Sequence, residues 1–416
     1  MKVLFVSYFS PPSGGVTIRR LLSLLKHLRK YNVNEILITS KNPRYYAFEE
    51  EELIPENVSL YRINEILLNK NKIKLNIKDQ INKDSIILKI VRFFYNLVRY
   101  PDPQWLWIPR AVREGIKIVR EEKPDVVIAT QPPSTNLIVG FIISAFAKVL
   151  LILDWRDFWA CAPYIERVNP FHRLLDILLE KIIIARAVSI WCVTVPMKKM
   201  LKKRFPKYKD RFVYIPNGYD EDDFKNAQRT RKDDGIIRLI HTGPITPVRD
   251  PSNFLDVLKE IIESGDFKNK IEFHQFGYIH PKFTGLKREF KDIMLVHNYI
   301  SHNKVLTEIA NADVGVCIAG KFSSDIVGFP HKAYEYLRVG LPVLAIAPEN
   351  ENYRWMRKNG LGVQADPDDK GEIRKAVLTV IKGGFTIDQN IISRFEWGYL
   401  VKLAYSNIKK IIRRYN

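Results

Sequence analysis

Cysteine is scarce in this sequence, which excludes a small secreted scaffold held together by disulfide bonds. The three cysteines, Cys161, Cys192 and Cys317, are odd in number and lie far apart along the chain. They match neither a disulfide framework nor the spacing of metal-binding cysteines. We therefore predict small, buried apolar side chains in a protein of the reducing cytoplasm.

Long apolar runs are also absent. The longest, residues 137–153, is interrupted by Lys148 and falls short of the about 18 to 20 apolar residues that span a bilayer. It predicts a buried helix followed by a buried strand instead of a membrane span. At the N-terminus, Met1 leads directly into an apolar strand with no cleavage site, so we expect no secretory signal.

Low-complexity blocks and metal-binding motifs are missing as well. With 46% hydrophobic residues and no biased segment, the composition is that of a folded globular protein. No His/Cys cluster has metal-ligand spacing and no Asp-x-Asp follows an apolar strand, so we predict a site that works without a metal ion. The acidic run at residues 220–223 is interpreted as a solvated linker, because no neighbouring pattern would make its carboxylates converge.

Positive charge, in contrast, is abundant: 66 Lys and Arg against 46 Asp and Glu give a net charge of +20. A positive surface attracts nucleic acid, anionic lipid or phosphorylated substrates. Basic and aromatic side chains alternate with apolar ones over residues 66–107, which include Trp105 and Trp107. This pattern suits an interfacial helix on an anionic membrane, and it suits a solvated helix that covers the core equally well. Nucleic-acid binding is not expected, because the usual recognition motifs are missing.

Apolar strands alternate with helical segments along the whole chain, which is typical of an α/β protein with parallel sheets covered on both faces. The predicted strands of the first half are residues 2–7, 34–39, 126–130 and 150–153, and those of the second half are residues 237–241, 271–276, 293–296, 314–318 and 343–346. A chain of 416 residues is too long for one core and suits two domains. The Pro216-Asn217-Gly218 turn marks the predicted boundary. We expect a first domain over residues 1–217, a second over 218–392 and a final helical segment over 393–416.

The most informative motif is FPHKAYEYLRVGLPVLAIA at residues 329–347. A loop with Pro330 leads into a short predicted helix that carries Lys332 and Glu335 and ends at Gly340. A helix start gathers backbone N–H groups that bind phosphate, and Lys332 would add positive charge there. Glu335 lies on the same helix face, where its carboxylate can accept hydrogen bonds from a ribose. An exposed ion pair on an ordinary amphipathic helix would use the same two residues.

This motif resembles the donor-site signature P-x-K-x-x-E-Y-L-x-x-G-x-P-V-L-A of GT-B glycosyltransferases, specifically the retaining family 4 type. The resemblance covers nearly all of the chain, including a Gly-Gly loop after the first strand and the central Pro-Asn-Gly turn. It implies two Rossmann-like, doubly wound parallel-sheet domains that face a cleft, with a C-terminal helix that crosses back to the first domain. In that family, the glutamate that matches Glu335 binds the ribose of the donor.

The resemblance also implies roles for residues outside this motif. Gly14 and Gly15 match the Gly-Gly loop that faces the donor, although a plain turn explains two glycines equally well. Gly243 matches a glycine at the end of the first strand of the second domain. Arg249 is the candidate for clamping the diphosphate with a bidentate guanidinium. Arg249 and Lys332 would then neutralise the charge that grows on a leaving nucleoside diphosphate.

One candidate lies in the first domain. Asp157 follows an apolar strand and matches the region in which many relatives have a histidine or an acidic residue that contacts the sugar or the acceptor. A structural network between Asp154 and Arg156 at the strand end is the alternative.

The sequence departs from the family pattern at two places. Val327 stands where many members have a second glutamate, eight positions before Glu335, and Pro244 stands where an arginine is frequent. The identity of the sugar is therefore not predicted. The side chain of His331 joins the candidate donor-binding residues, with a structural role as the alternative.

These features predict an enzyme that transfers a sugar from a nucleotide-diphosphate sugar, with UDP as the expected nucleotide. The expected acceptor is a membrane- or lipid-linked glycan in cell-surface polysaccharide or lipopolysaccharide synthesis, with retention of the anomeric configuration. The nucleotide sugar is a co-substrate, and no further cofactor is expected. We expect a cytoplasmic location on the inner face of the cell membrane. The alternatives are a nucleotide-sugar epimerase of GT-B fold and a catalytically silent GT-B subunit that scaffolds a partner.

Overall fold

A computed structural model of the chain describes residues 1–13, 16–43, 54–66, 100–160, 170–230, 234–265, 267, 269–298, 300–321 and 328–415. The chain divides into two compact units. The first consists of Met1–Cys192, Leu201–Val213 and Ala404–Asn416, and the second of Val193–Met200 and Tyr214–Leu403. The exact domain bounds of the sequence analysis stay a prediction.

The first unit contains a seven-stranded sheet with the strand order β3-β2-β1-β4-β5-β6-β7. Its strands are β1 (Lys2–Val6), β2 (Asn34–Ser40), β3 (Ser59–Ile63), β4 (Val126–Gln131), β5 (Leu150–Trp155), β6 (Ser189–Cys192) and β7 (Phe212–Tyr214). Strands β1 to β6 pair in parallel. Strands β1, β2, β4 and β5 are buried along nearly their whole length, as expected for apolar strands covered on both faces.

Helices alternate with these strands. They are α1 (Val16–Leu28), α2 (Ile108–Glu122), α3 (Ser134–Ala147) and α4 (Pro170–Arg186), followed by α5 (Val195–Arg204). Residues 137–153 form the predicted helix, α3, and the predicted buried strand, β5, but α3 is buried on only part of its surface, since Phe146 is exposed. None of the described helices combines the length and the apolar character that crossing a bilayer requires.

The second unit contains a six-stranded parallel sheet with the order β10-β9-β8-β11-β12-β13. Its strands are β8 (Ile236–Thr242), β9 (Lys270–Phe276), β10 (Met294–His297), β11 (Val314–Ile318), β12 (Val343–Ile346) and β13 (Gly362–Ala365). The chain builds the sheet outward from β8 in one direction and then from β11 in the other. The point between β8 and β11 is therefore a topological switch point, where such sheets bind their ligands.

Two apolar layers cover this second sheet, one on each face. The helices of this unit are α6 (Ser252–Glu263), α7 (Leu286–Glu289), α8 (His302–Ala310), α9 (His331–Arg338), α10 (Glu351–Lys358), α11 (Lys370–Ile381), α12 (Gln389–Ile392) and α13 (Trp397–Tyr415). One core cluster includes side chains of α6 and α11, and the other includes side chains of α8, α9 and α10. The structure confirms the predicted α/β class with two parallel sheets.

The C-terminal part of α13 belongs to the first unit. There the side-chain oxygen of Asn407 accepts hydrogen bonds from Ser189 Oγ at 3.0 Å and from Trp191 Nε1 at 2.9 Å. Both donors lie in β6. The end of the last helix is thus bonded to the sheet of the first unit, as the family resemblance implies.

One buried carboxylate makes the stability of the first unit depend on pH. Glu35 lies in β2, is 1% exposed and accepts a hydrogen bond from Asn57 Nδ2 at 3.2 Å. Burial raises the pKa of Glu35 from 4.5 to about 7. The folded protein holds this proton more tightly than the unfolded chain does. The contribution of Glu35 to the free energy of unfolding is therefore fully present below pH 4.5 and is lost as the pH rises through 7.

Glu35→Gln is therefore expected to remove this loss. At pH 8.5 the variant should unfold with a free energy about 1 to 2 kcal/mol above wild type, a value discounted for solvent near the carboxylate. At pH 5 the two proteins should have similar free energies of unfolding. Urea denaturation at both pH values measures the difference, with the exposed Glu56→Gln as the control. Parallel pH dependences of wild type and Glu35→Gln would contradict the assignment.

Candidate functional site

The candidate residues of the second unit lie around the topological switch point. Gly243 directly follows β8, and Arg249 lies in the loop between β8 and α6. Lys332 and Glu335 lie on α9, which begins at His331. Pro330 at the N-cap provides no side-chain cap for this helix. The sequence prediction of a short helix that starts after Pro330 and carries Lys332 and Glu335 is confirmed.

Tyr336 holds α9 against the sheet. A Cβ atom added to Gly315 in β11 would lie 2.1 Å from Cδ2 of Tyr336, so the ring lies directly on the strand where a side chain would stand. The hydroxyl of Tyr336 accepts a hydrogen bond from the backbone N–H of Thr242 at 3.0 Å. A glycine in β11 and a tyrosine in α9 thus fix the helix beside the end of β8.

Lys332 reaches the end of β8 from this fixed position. Its Nζ lies 3.2 Å from Nε2 of His241, and a Cβ on Gly243 would lie 2.9 Å from the same ammonium. Gly243 has a φ of 149°, a conformation that favours glycine. Gly243 therefore leaves the space that the ammonium of Lys332 occupies. The glycine that the family resemblance selected has a physical role in positioning Lys332.

His241 directs the ammonium without adding charge. Its side chain is fully buried, and Nδ1 lies 3.0 Å from the carbonyl oxygen of Val316. We assign the proton to Nδ1, which then donates to that carbonyl and leaves Nε2 as an acceptor for Lys332. Burial, together with the charge of Lys332, holds the pKa of His241 well below its usual range. The imidazole is neutral at pH 7, and the positive charge at this point belongs to Lys332.

Glu335 lies between two imidazoles. It is 5% exposed, and its Oε1 is 2.8 Å from Nε2 of His302 and 3.3 Å from Nδ1 of His331. Burial alone would raise the pKa of Glu335, but the facing His302 and His331 hold it well below the usual range. Glu335 is therefore an ionised carboxylate in a nearly dry environment, and a hydroxyl that reaches it meets a strong acceptor. The alternative of an exposed surface ion pair is wrong, because this carboxylate is buried.

Two asparagines at the start of α10 hold the loop that precedes α9 through hydrogen bonds. The side-chain amides of Asn350 and Asn352 both donate to the carbonyl oxygen of Gly328 at 3.2 Å. Asn350 also caps α10 by accepting hydrogen bonds from the backbone N–H groups of Asn352 and Tyr353. The entry to α9 is thereby bonded to the start of the next helix.

Arg249 ends a tight turn in the loop after β8. Its backbone N–H donates to the carbonyl oxygen of Thr246 at 2.8 Å, and its side chain is half-buried. After burial and the charge of Lys332, the positive charge of Arg249 also contributes to the lowered pKa of His241. The structure thus brings Gly243, Arg249, Lys332, Glu335 and His331 to one end of one sheet.

Asp157 lies in the first unit, shortly after the end of β5. Its Oδ1 accepts a hydrogen bond from the backbone N–H of Phe158 at 3.0 Å. The neighbouring Asp154 is part of a buried structural network, as the alternative for this segment had it, but its close partners are Arg20 and Thr130 and not Arg156. Its carboxylate accepts from Arg20 Nε at 3.0 Å, from Arg20 Nη2 at 2.8 Å and from Thr130 Oγ1 at 2.9 Å. Nε of Arg156 lies 3.9 Å from Oδ2 of Asp154. A role for Asp157 in contact with sugar or acceptor stays a prediction.

Some predicted features lie outside the described residues. They are Gly14, Gly15, Val327 and most of the basic segment 66–107. The prediction that the site works without a metal ion also stays a prediction.

Sequence reasoning missed three polar residues of the site: His241, His302 and Tyr336. His241 ends an apolar strand, and His302 starts a helix, and neither position has a motif that would single it out. The contact between Lys332 and His241 joins residues 91 positions apart, and that between Glu335 and His302 joins residues 33 positions apart. Only the fold brings these pairs together.

No protein-family model matches this sequence, and no curated protein matches it either. Solved structures do. A sucrose-phosphate synthase from Thermosynechococcus elongatus matches with a TM-score of 0.70 at 14% identity, over 99% of both chains. The apo form of the lipopolysaccharide outer core galactosyltransferase WaaB matches with a TM-score of 0.60 at 13% identity, over 98% of this chain and 99% of that chain. The fold is GT-B.

The GT-B fold also occurs in enzymes of another kind. A putative UDP-N-acetylglucosamine 2-epimerase from Listeria monocytogenes matches with a TM-score of 0.58 at 12% identity, over 99% of this chain and 97% of that chain. At such identities the likeness shows the fold and not the reaction. The predicted GT-B fold is confirmed, and membership of family 4 stays a prediction.

Proposed function

We propose that this protein is a glycosyltransferase that binds a nucleotide-diphosphate sugar at the switch point of its second unit. The observation that carries the proposal is that α9 places the Lys332 ammonium at the end of β8 and the buried carboxylate of Glu335 one turn further along. A cation and a carboxylate one helical turn apart suit the diphosphate and the ribose hydroxyls of one nucleotide. The position agrees with the general place of ligands in parallel α/β sheets.

In the proposed reaction, the bond between the anomeric carbon of the sugar and the terminal phosphate oxygen breaks. The electron pair leaves with the nucleoside diphosphate, which gains negative charge. The hydroxyl oxygen of the acceptor forms the new bond to the anomeric carbon, and its proton passes to the leaving phosphate oxygen. Lys332 and Arg249 would stabilise that charge, and the neutral His241 keeps the Lys332 ammonium at the end of β8. The chemistry thus rests on fixed cations, and we propose that no divalent metal ion is required.

The acceptor is proposed to be a glycan linked to a lipid or a membrane, and the anomeric configuration is proposed to be retained. The resemblance of residues 329–347 to the retaining family 4 signature supports retention. The net charge of +20 supports an anionic membrane surface as the place of work. UDP is the proposed nucleotide, and cell-surface polysaccharide or lipopolysaccharide synthesis is the proposed context.

A nucleotide-sugar epimerase is the second candidate. It would need acid and base groups around the same donor site, and His241, His302 and His331 surround Lys332 and Glu335. An epimerase acts on a soluble substrate, so the net charge of +20, which suits work at an anionic membrane, favours the transferase.

Product analysis distinguishes the two. Purified protein is incubated with UDP-, GDP- and ADP-sugars, with and without EDTA and with an anionic lipid extract as the source of acceptor. A transferase releases nucleoside diphosphate in step with sugar that enters the lipid fraction. An epimerase interconverts soluble nucleotide sugars without the extract. Binding of nucleotide with neither product would indicate the catalytically silent subunit.

A further inference from the structure

Helix α4 in the first unit exposes a continuous stripe of large apolar side chains. Phe171, Leu174, Leu178 and Ile182 follow one another at helical spacing, and they are exposed by 47% to 61%. Phe146 at the end of α3 extends the stripe and is exposed by 74%. Arg186 ties the two helix ends together, because its Nη2 donates to the carbonyl oxygens of Ser144 and Val149 on either side of Phe146. We call Phe171, Leu174, Leu178 and Ile182 the outer face of α4.

The opposite face of the same helix buries polar groups. His172, Asp176 and Glu180 are each at most 5% exposed. Asp176 accepts a hydrogen bond from Trp159 Nε1 at 2.7 Å, and Glu180 pairs with Arg204 of α5 at 2.9 Å. Helix α4 therefore buries two carboxylates together with Ile183 and Ile184, while the large apolar side chains of its other face stay exposed.

These inner contacts determine which way the helix faces. Turning the apolar stripe inward would remove Asp176 and Glu180 from their partners, and a buried carboxylate without a partner is costly. The stripe is thus held outward. A contiguous exposed apolar surface of this kind is typical of an interaction site.

The charges around the outer face favour one kind of partner. Arg173 and Lys181 are exposed on α4 itself, and Lys148 is exposed next to Phe146. Cations that flank an apolar stripe match anionic lipid headgroups above an acyl layer. A second copy of this chain also carries a net charge of +20 and would be repelled.

We propose that the outer face of α4 docks on an anionic lipid bilayer, with its apolar side chains in the interfacial layer and Arg173 and Lys181 at the headgroups. This inference rests on the proposed function in that it names the surface that brings the enzyme to a membrane-linked acceptor. It places membrane contact on a helix of the first unit, distinct from the predicted segment 66–107.

Vesicle co-sedimentation of the full chain tests the proposal. The probes are vesicles of phosphatidylcholine alone and vesicles of an equimolar mixture of phosphatidylcholine and phosphatidylglycerol, which carry a negative surface potential. Wild type should bind the anionic vesicles and bind them less at high salt. Leu174→Ser with Leu178→Ser should lower binding at least about 10-fold, and Arg173→Gln with Lys181→Gln should remove most of the salt dependence.

Matched control variants and a measurement of nucleotide binding separate a specific effect on membrane binding from a general effect of the substitutions. Ile262→Ser and Tyr278→Ser replace exposed apolar side chains of the second unit and should leave vesicle binding unchanged. Nucleotide binding, measured on the same variants, should equal wild type, so that failure of the membrane proposal is distinguishable from failure of the nucleotide site. Equal vesicle binding by wild type and the Leu174/Leu178 variant would overturn the proposal. So would self-association in sedimentation velocity that the same variant abolishes, because the occupant would then be a second copy.

Discussion

Lys332→Met is expected to weaken the binding of nucleoside diphosphates by about 10- to 100-fold, because a hydrogen bond from a charged group contributes about 1.5 to 3 kcal/mol. The ammonium lies at the end of β8, held by Nε2 of His241 and by the space over Gly243. Methionine keeps much of the aliphatic stem and removes the charge. Since the diphosphate is the proposed partner, affinity for the free nucleoside should change little.

Calorimetry with the diphosphate and the free nucleoside measures this difference. Lys375→Met is the matched control, because Lys375 is an exposed lysine of α11 on the other face of the sheet. Equal losses for nucleoside and diphosphate would show that Lys332 acts on the fold and not on the phosphates.

Glu335→Gln is expected to cause a loss of similar size, about 10- to 100-fold, with a different selectivity. The carboxylate is buried and ionised between His302 and His331. Glutamine has nearly the same shape but lacks the charge that makes the side chain a strong acceptor for ribose hydroxyls. Wild type should therefore prefer a ribonucleotide to its 2′,3′-dideoxy analogue, and the variant should lose that preference.

Competition between the two nucleotides reads this preference directly. Glu308→Gln on the exposed side of α8 is the control and should keep it. A Glu335→Gln variant that still discriminates the ribose would place the ribose elsewhere. Thermal unfolding of the variant in the absence of nucleotide separates a loss of fold from a loss of binding.

The fold could be predicted largely from the sequence because near-continuous apolar strands such as Val314–Ile318 are bounded by clear helix signals. The short helix with Lys332 and Glu335 could be predicted for the same reason, since its start at Pro330 and its end at Gly340 are local signals. Spacing alone placed the two side chains on one helix face. The partners that give each its electrostatic state lie on other elements, and no local pattern identifies them.

For helix α4 as well, the sequence pattern does not identify the tertiary partners that decide the structure. Its sequence, PFHRLLDILLEKIIIAR, has apolar residues on more than one face, so periodicity does not determine which face is buried. That choice depends on the tertiary partners Trp159 and Arg204, which bind Asp176 and Glu180. Long-range pairing of polar groups therefore determines both the candidate donor site and the proposed lipid-binding face.

The central claim is that the second unit binds a nucleoside diphosphate through Lys332 and Glu335. Isothermal titration of the purified chain with UDP, GDP and ADP, with and without EDTA, tests it most directly, alongside the Lys332→Met and Glu335→Gln variants. We predict saturable binding of UDP that EDTA leaves unchanged and that both variants weaken at least about 10-fold. Absence of binding by all three nucleotides, or equal affinity in wild type and both variants, would contradict the claim.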